Sequence, residues 1–276
     1  MDNVRDYYDR LAPAEWERLV KDPYHELEFR ATLACLEEHL PAEGVVLDAG
    51  GGPGRYALEL CRRGYSVTLL DLAERCIELA RANFSSEPTA VQARLRAAEI
   101  GDLRDLSRFA DHSFDAALCL GGAFSHVPVG ADQQRTLSEL ARVGKPGAPI
   151  VISVIGYYAL LCTILTRFPE DLGRPEKQCL LHGDNVCTGG FPDAHFFRPE
   201  ELRALAEAEG IQTIETRACE GLSSNLADAT NALAQRNDGS WERWLSILDE
   251  TGRDPSVVAV SEHFLYVGRV PFGSHA

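Results

Sequence analysis

An apolar run, Val45-Val46-Leu47, ends in an acid, Asp48, and is followed at once by Ala49-Gly50-Gly51-Gly52-Pro53-Gly54-Arg55. No other stretch limits the possible folds as much. The run has the length of a strand, and Arg55 to Arg63 reads as a helix. Glycine lacks a Cβ and takes φ > 0 freely, so such a turn lets a ligand approach the backbone closely. The turn also aims amide groups and the positive end of a helix dipole at whatever sits there. Further along, strand patterns near 45–49, 66–71, 94–98, 114–120, 149–155, 211–217 and 263–270 alternate with helical ones. That alternation argues for an α/β fold, a doubly wound sheet with helices on both faces. Pro199, Glu200 and Glu201 open one helix, which Gly210 stops.

Three kinds of loop carry glycines after a strand. A dinucleotide fingerprint needs Gly-x-Gly-x-x-Gly, and a P-loop needs Gly-Lys-Ser/Thr. Here Gly50, Gly52 and Gly54 alternate, no Gly-Lys-Ser/Thr follows, and Asp48 stands where it repels a pyrophosphate and attracts an ammonium. S-adenosylmethionine, with an α-amino group, an α-carboxylate and a nucleoside, fits that demand. A second apolar run, Ser66 to Leu70, also ends in an acid, Asp71, about twenty residues on, where doubly wound sheets bind ribose hydroxyls. Leu72 is placed to pack on the adenine. The pattern apolar-Asp-x-Gly-x-Gly-x-Gly resembles motif I of the class I S-adenosylmethionine-dependent methyltransferases. Ser113 to Gly122 resembles that family's fourth strand and loop, and Lys145-Pro146-Gly147 before Ala148 to Val154 resembles its turn into the fifth strand. The resemblance runs from about residue 41 to 155. It implies a seven-stranded, mostly parallel Rossmann-like sheet with an antiparallel last strand. It also implies an acid after the third strand for the adenine amino group: Asp102, with Glu99 and Asp105 as competing registers. Gly51, Leu103, Leu120 and Gly121 flank these motifs and join the expected cofactor contacts.

Composition narrows the acceptor. The chain has 276 residues, 45% of them apolar, and a net charge of −15 from 42 acidic and 27 Lys and Arg residues. No basic cluster interleaved with aromatics appears, which disfavours nucleic acid. No apolar run is long enough to span a bilayer, and the charged start, Met1-Asp2-Asn3-Val4-Arg5, does not read as a signal peptide. Eight cysteines, at 35, 61, 76, 119, 162, 179, 187 and 219, form no Cys-x-x-Cys pair. They read as reduced thiols of a cytoplasmic protein with no metal. The expected assembly is a monomer or homodimer.

Read as a single domain, the chain divides into a helical lead-in (1–40), a cofactor half (41–155), a cap insertion (156–197) and a carboxyl-terminal half (198–276). The last contains a helical insertion at 222–258 with Trp241 and Trp244. Acceptor signatures of nucleic-acid amino, protein-arginine and catechol methyltransferases are missing, which leaves a small-molecule acceptor as the leading reading. A peptide or protein methyltransferase, and a non-catalytic cofactor-binding protein, stay open as alternatives. Tyr7, Tyr8 and Trp16 resemble the aromatic lid of glycine N-methyltransferase-type enzymes, and Arg30 is the candidate partner of the cofactor carboxylate. The same aromatics also fit the apolar stripe of an amphipathic helix. His126 and His195 are the candidate acid–base residues, since histidine titrates near neutral pH. Tyr157 and Phe196 are the candidate substrate contacts.

Overall fold

A computed structural model of the chain describes residues 1–185 and 190–272. Its nine strands are β1 (Val45–Ala49), β2 (Ser66–Asp71), β3 (Leu95–Ile100), β4 (Ala116–Cys119), β5 (Pro149–Ile155), β6 (Asp184–Asn185), β7 (Ala194–His195), β8 (Gln212–Ala218) and β9 (His263–Arg269). The described helices are α1 (Asp2–Arg18), α2 (Pro23–His39), α3 (Arg55–Arg62), α4 (Glu74–Ser85), α5 (Thr89–Gln92), α6 (Ala131–Val143), α7 (Tyr157–Arg167), α8 (Pro199–Ala208), α9 (Ala227–Ala234), α10 (Ser240–Thr251) and α11 (Pro255–Val260).

Seven strands form one sheet in the order β3-β2-β1-β4-β5-β9-β8. All pairings are parallel except those of β9, which is antiparallel to both β5 and β8. The seven expected strands are therefore present within two residues at either end. The register of β3 with β2 breaks between Val67 and Thr68. Strands β6 and β7 form a separate two-stranded ribbon in the cap.

The two central strands are buried on both faces, which is why they read as apolar runs. Leu47, Ala117 and Cys119 pack with Phe124, Leu140 and Leu202 on one side. Val46, Ala116 and Leu118 pack with Leu36, Leu60 and Ile77 on the other. Chain connections leave β1 and β4 in opposite directions, so a crevice opens at their carboxyl ends. Open α/β sheets bind ligands at such a point. The Gly50–Gly54 loop and the Leu120–Gly122 loop line its two banks.

The cap begins at Gly156, whose amide donates to the Glu262 carbonyl at 2.8 Å. A Cβ built there meets the Ser261 carbonyl oxygen at 2.2 Å, and backbone has no room to yield. Replacing Gly156 with Ala is therefore expected to push the cap off β9 and lower the thermal midpoint by about 5 °C, read by differential scanning fluorimetry.

Candidate active site

The glycine loop is built around a buried acid. Gly50, Gly52 and Gly54 have φ of 78°, 54° and 81°, a region that side chains disfavour. The amides of Gly50 and Gly51 donate to the Leu70 carbonyl at 2.7 and 3.3 Å, and the Gly52 amide to Asp71 Oδ2 at 2.7 Å. These donors are thus occupied by β2 and are not offered to a ligand. Asp48 is fully buried beneath the loop, at the amino end of α3. A Cβ on Gly51 would lie 2.4 Å from its Oδ2, so the carboxylate fills the space that a side chain would need. Neither of its oxygens accepts a hydrogen bond of good geometry among the described residues, and the Ala57 amide at the start of α3 is its nearest donor. Burial, and then the Asp71 charge, push its carboxyl up to about 7, while the Ala57 amide pulls the other way. Asp48 therefore supports the loop from below and does not reach the cavity wall itself.

Above the loop is a narrow pocket of about 100 Å³. Of the residues the sequence offered as cofactor contacts, Gly50, Gly51, Gly52, Asp71, Leu72, Leu103, Leu120 and Gly121 line it. Asp71 accepts from the Gly52 and Ala73 amides, and burial raises its carboxyl to about 6. The space over Gly52 is open: a Cβ there would meet nothing within 4 Å. An orphaned buried acid below and a glycine facing empty space above fit a ligand that lies directly on the backbone. Asp102, in contrast, is turned aside. Arg104 grips its carboxylate at 2.6 to 3.0 Å, and Leu103 is the neighbour that faces the pocket. Gly54 lies below the loop as the left-handed N-cap of α3, against Leu69 and Ala80.

Helix α1 roofs the pocket with Met1, Val4, Arg5, Tyr8, Glu15, Arg18 and Leu19. These positions share one helical face. Trp16 falls at the edge of that face and does not line the pocket. The Arg55 guanidinium covers its ring at 3.7 Å, and it packs on the core instead of the pocket. Arg30 is likewise displaced from the expected role. It lies on α2, 4.0 Å from Asp249, beside a different cavity. Arg18 takes the place in the pocket. The spacing Tyr8, Glu15, Arg18 on one face was the signal that would have found it.

A second cavity of about 680 Å³ adjoins the first, and Tyr8, Glu15, Arg18 and Gly121 belong to the walls of both. Tyr7, Phe191 and Phe196 line the larger one. His126 stands at the junction, 5% exposed. Its Nδ1 is 2.8 Å from the Asp193 carbonyl, which only accepts, so Nδ1 carries the proton. Its Nε2 then accepts from the Tyr8 hydroxyl at 2.8 Å. Burial lowers the His126 pKa to about 4 and raises that of Tyr8 well above its ordinary value. Both groups are neutral at physiological pH.

Two expected residues lie elsewhere. His195 lines neither cavity. Its Nδ1 is held by Asp184 at 2.6 Å and its Nε2 by Glu201 at 2.8 Å, so both nitrogens are spent tying the ribbon to α8. Tyr157 is buried under the Arg198 guanidinium at 3.8 Å, and its hydroxyl donates to the Leu181 carbonyl. It too is absent from the cavity wall, whereas Phe196 is in it. Glu28, Glu220 and His263 bring three donor atoms within 4.8 Å of one another. Arg18 grips Glu28 and a protonated His263 bonds Glu220, so this is an ion-pair cluster. Cys35, Cys61, Cys76, Cys119, Cys162 and Cys219 are free thiols; Cys187 lies outside the described residues. Among the described residues, no helix is long and apolar enough to cross a membrane.

Comparison with known proteins agrees with this geometry. A methyltransferase-domain model matches residues 46–147. Human glycine N-methyltransferase is 29% identical over 167 residues, which cover 57% of this chain and 56% of that one. A ubiquinone biosynthesis O-methyltransferase of Coxiella burnetii is 28% identical over 187 residues, 66% of this chain and 70% of that one. The solved structure of a Methanosarcina mazei S-adenosylmethionine-dependent methyltransferase superposes with a TM-score of 0.60 at 22% identity, covering 86% of this chain and 97% of that one. Residues 46–147 thus match a methyltransferase domain, and the seven-stranded fold around them is that of the class I S-adenosylmethionine-dependent methyltransferases. The chain spans little more than half the length of the human relative, and the domain model falls within the cofactor half.

Gly52→Val puts a side chain into the open space of the narrow pocket. The variant is expected to fold, with a loss of about 1 kcal/mol for the left-handed backbone, and to give no calorimetric signal with S-adenosylhomocysteine. Asp48→Asn addresses the buried charge. The native acid, raised from 3.8 to about 7, helps stability below pH 4 and forfeits that help as pH climbs through 7. At pH 8 the Asn variant of the ligand-free protein is expected to be more stable by on the order of 2–4 kcal/mol, an advantage that disappears by pH 4 in urea melts.

Proposed function

We propose that this protein moves the methyl group of S-adenosylmethionine to a nucleophilic nitrogen, oxygen or sulfur atom of a small molecule. One observation carries the reading. The narrow pocket above the glycine loop opens into a larger cavity across a shared wall of Tyr8, Glu15, Arg18 and Gly121. About 680 Å³ is within the usual range of small-molecule sites. In this reading Asp71 accepts from the ribose hydroxyls, Leu72 and Leu103 enclose the adenine, and Arg18 faces the carboxylate. The bound cofactor supplies a methyl group already activated on a sulfonium, so alignment and exclusion of water remain the protein's task.

Tyr8 and His126 perform that alignment. The Tyr8 hydrogen is committed to His126, which leaves the oxygen only lone pairs to offer at the junction. It therefore accepts a hydrogen bond from the incoming acceptor and turns the nucleophile toward the donor pocket. With a pKa of about 4, His126 holds protons too weakly to keep one taken from an ammonium. Its work is to hold the tyrosine. Glycine and ubiquinone-precursor methylation by the relatives point to small acceptors here as well.

Incubation with S-adenosylmethionine and a panel of small amines, thiols, phenols and peptides, read by product mass spectrometry, tests the reading. Small-molecule products are expected and peptide products are not. Tyr8→Phe keeps the ring but loses the acceptor oxygen, and is expected to lower kcat about a hundredfold with cofactor binding retained. Unchanged turnover in that variant would remove the junction from the reaction.

A further inference from the structure

The larger cavity is charged unevenly. Its deep wall carries Glu28 and Glu220, 2% and 3% exposed, together with Glu15 and Glu262. Two cations stand among these four acids. Arg18 holds Glu28 at 2.5 Å and Glu15 at 3.1 Å. His263 lies 2.7 Å from Glu220 and 3.6 Å from Glu28, and these acids keep its pKa up at about 9 against the pull of burial. Glu262 has no ion pair among the described residues; the Tyr24 hydroxyl donates to it. The mouth has the opposite sign. Lys21, Arg167, Arg174 and Lys177 outnumber Glu170 and Asp171 there, while His25 is paired with Asp22. Arg174 and Lys177 lean on Asp171, but Lys21 and Arg167 have no ion pair among the described residues. Ile155, Leu160, Ile164 and Phe196 supply an apolar wall of the same cavity.

Methyl transfer makes that asymmetry chemically selective. A neutral amine gives its lone pair to the methyl carbon, the C–S pair returns to sulfur, and positive charge passes to nitrogen. A zwitterionic acceptor enters as an ammonium and gives one proton to water before the transfer, so the methylated ammonium restores the positive charge the acidic wall held. A phenolate or thiolate would instead bring a negative charge beside the acids. Groups that stabilise charge where it develops accelerate the step, and groups of the wrong sign oppose it. The rings of Tyr7, Tyr8 and Phe191, with centroids 5.2 and 5.9 Å apart, add faces that favour a methylated ammonium.

We propose that the acceptor is a zwitterionic amine, its nitrogen toward the acidic wall and a carboxylate or phosphate at the Lys21–Arg167 mouth. This rests on the methyl-transfer reading above. The test uses the full chain with S-adenosylmethionine and five probes: ω-aminohexanoate, ω-aminohexyl phosphate, hexylamine, ω-hydroxyhexanoate and para-hydroxyphenylacetate. Only the amines are expected to be methylated, at least one zwitterion having a KM about tenfold below that of hexylamine. The better of the two zwitterions names the anion. Lys21→Gln and Arg167→Gln, both on exposed side chains, should each raise KM for that zwitterion roughly fivefold and leave hexylamine unaffected. Faster methylation of either hydroxyl probe, a KM indifferent to the anion, or no binding of either zwitterion by protein that binds S-adenosylhomocysteine overturns the proposal. Failure to bind S-adenosylhomocysteine at all would instead overturn the methyl-transfer reading.

Discussion

The site depends on one steric bargain, between the Asp48 carboxylate and the missing side chain of Gly51. With the oxygen 2.4 Å from where a Cβ would be, the acid and the glycine specify each other. Once the carboxylate occupies that space, the chain above it must turn with left-handed glycines, and the turn must tie back to Leu70 and Asp71 on the next strand. That in turn fixes Asp71 at the pocket edge and leaves a bare backbone surface over Gly52. The energetic cost is a buried, unpartnered acid, tolerated because the amino end of α3 faces it.

Much of this could be read directly from the residues. Strand β4 is apolar throughout and β1 is broken only by Asp48, because both faces are covered, and such runs are hard to mistake. The glycine loop, Asp71 and the Lys145-Pro146-Gly147 turn carry information in local order alone. What sequence reasoning missed involves relations between distant segments. Whether Trp16 or Arg18 faces the pocket depends on how α1 is rotated against α4, and adjacent residues differ there by a quarter turn or more. His126 and His195 look alike as isolated letters. Only the fold shows that the first meets Tyr8 and the second meets Asp184 and Glu201. Asp102 was in a sensible register, but its neighbour Arg104 claims the carboxylate.

The two halves of the site are held by different physics. The donor side rests on backbone geometry within the sheet, which tolerates little change. The acceptor side is assembled from charged side chains on α1, α2, α7 and β9, whose mutual pairing sets the local potential. Substitutions in the second group can retune which molecule is accepted without disturbing the first. The methyltransferase-domain model, at residues 46–147, covers the first of these halves.

The roof has a practical consequence. Met1, Val4 and Arg5 lie directly over the donor pocket, whereas Phe272 packs against the Gly147 turn at the opposite end of the sheet. Residues fused ahead of Met1 in a recombinant chain would emerge beside the cofactor and lie across its way in. An affinity tag belongs at the carboxyl end of the chain, since the sheet stands between Phe272 and the pocket.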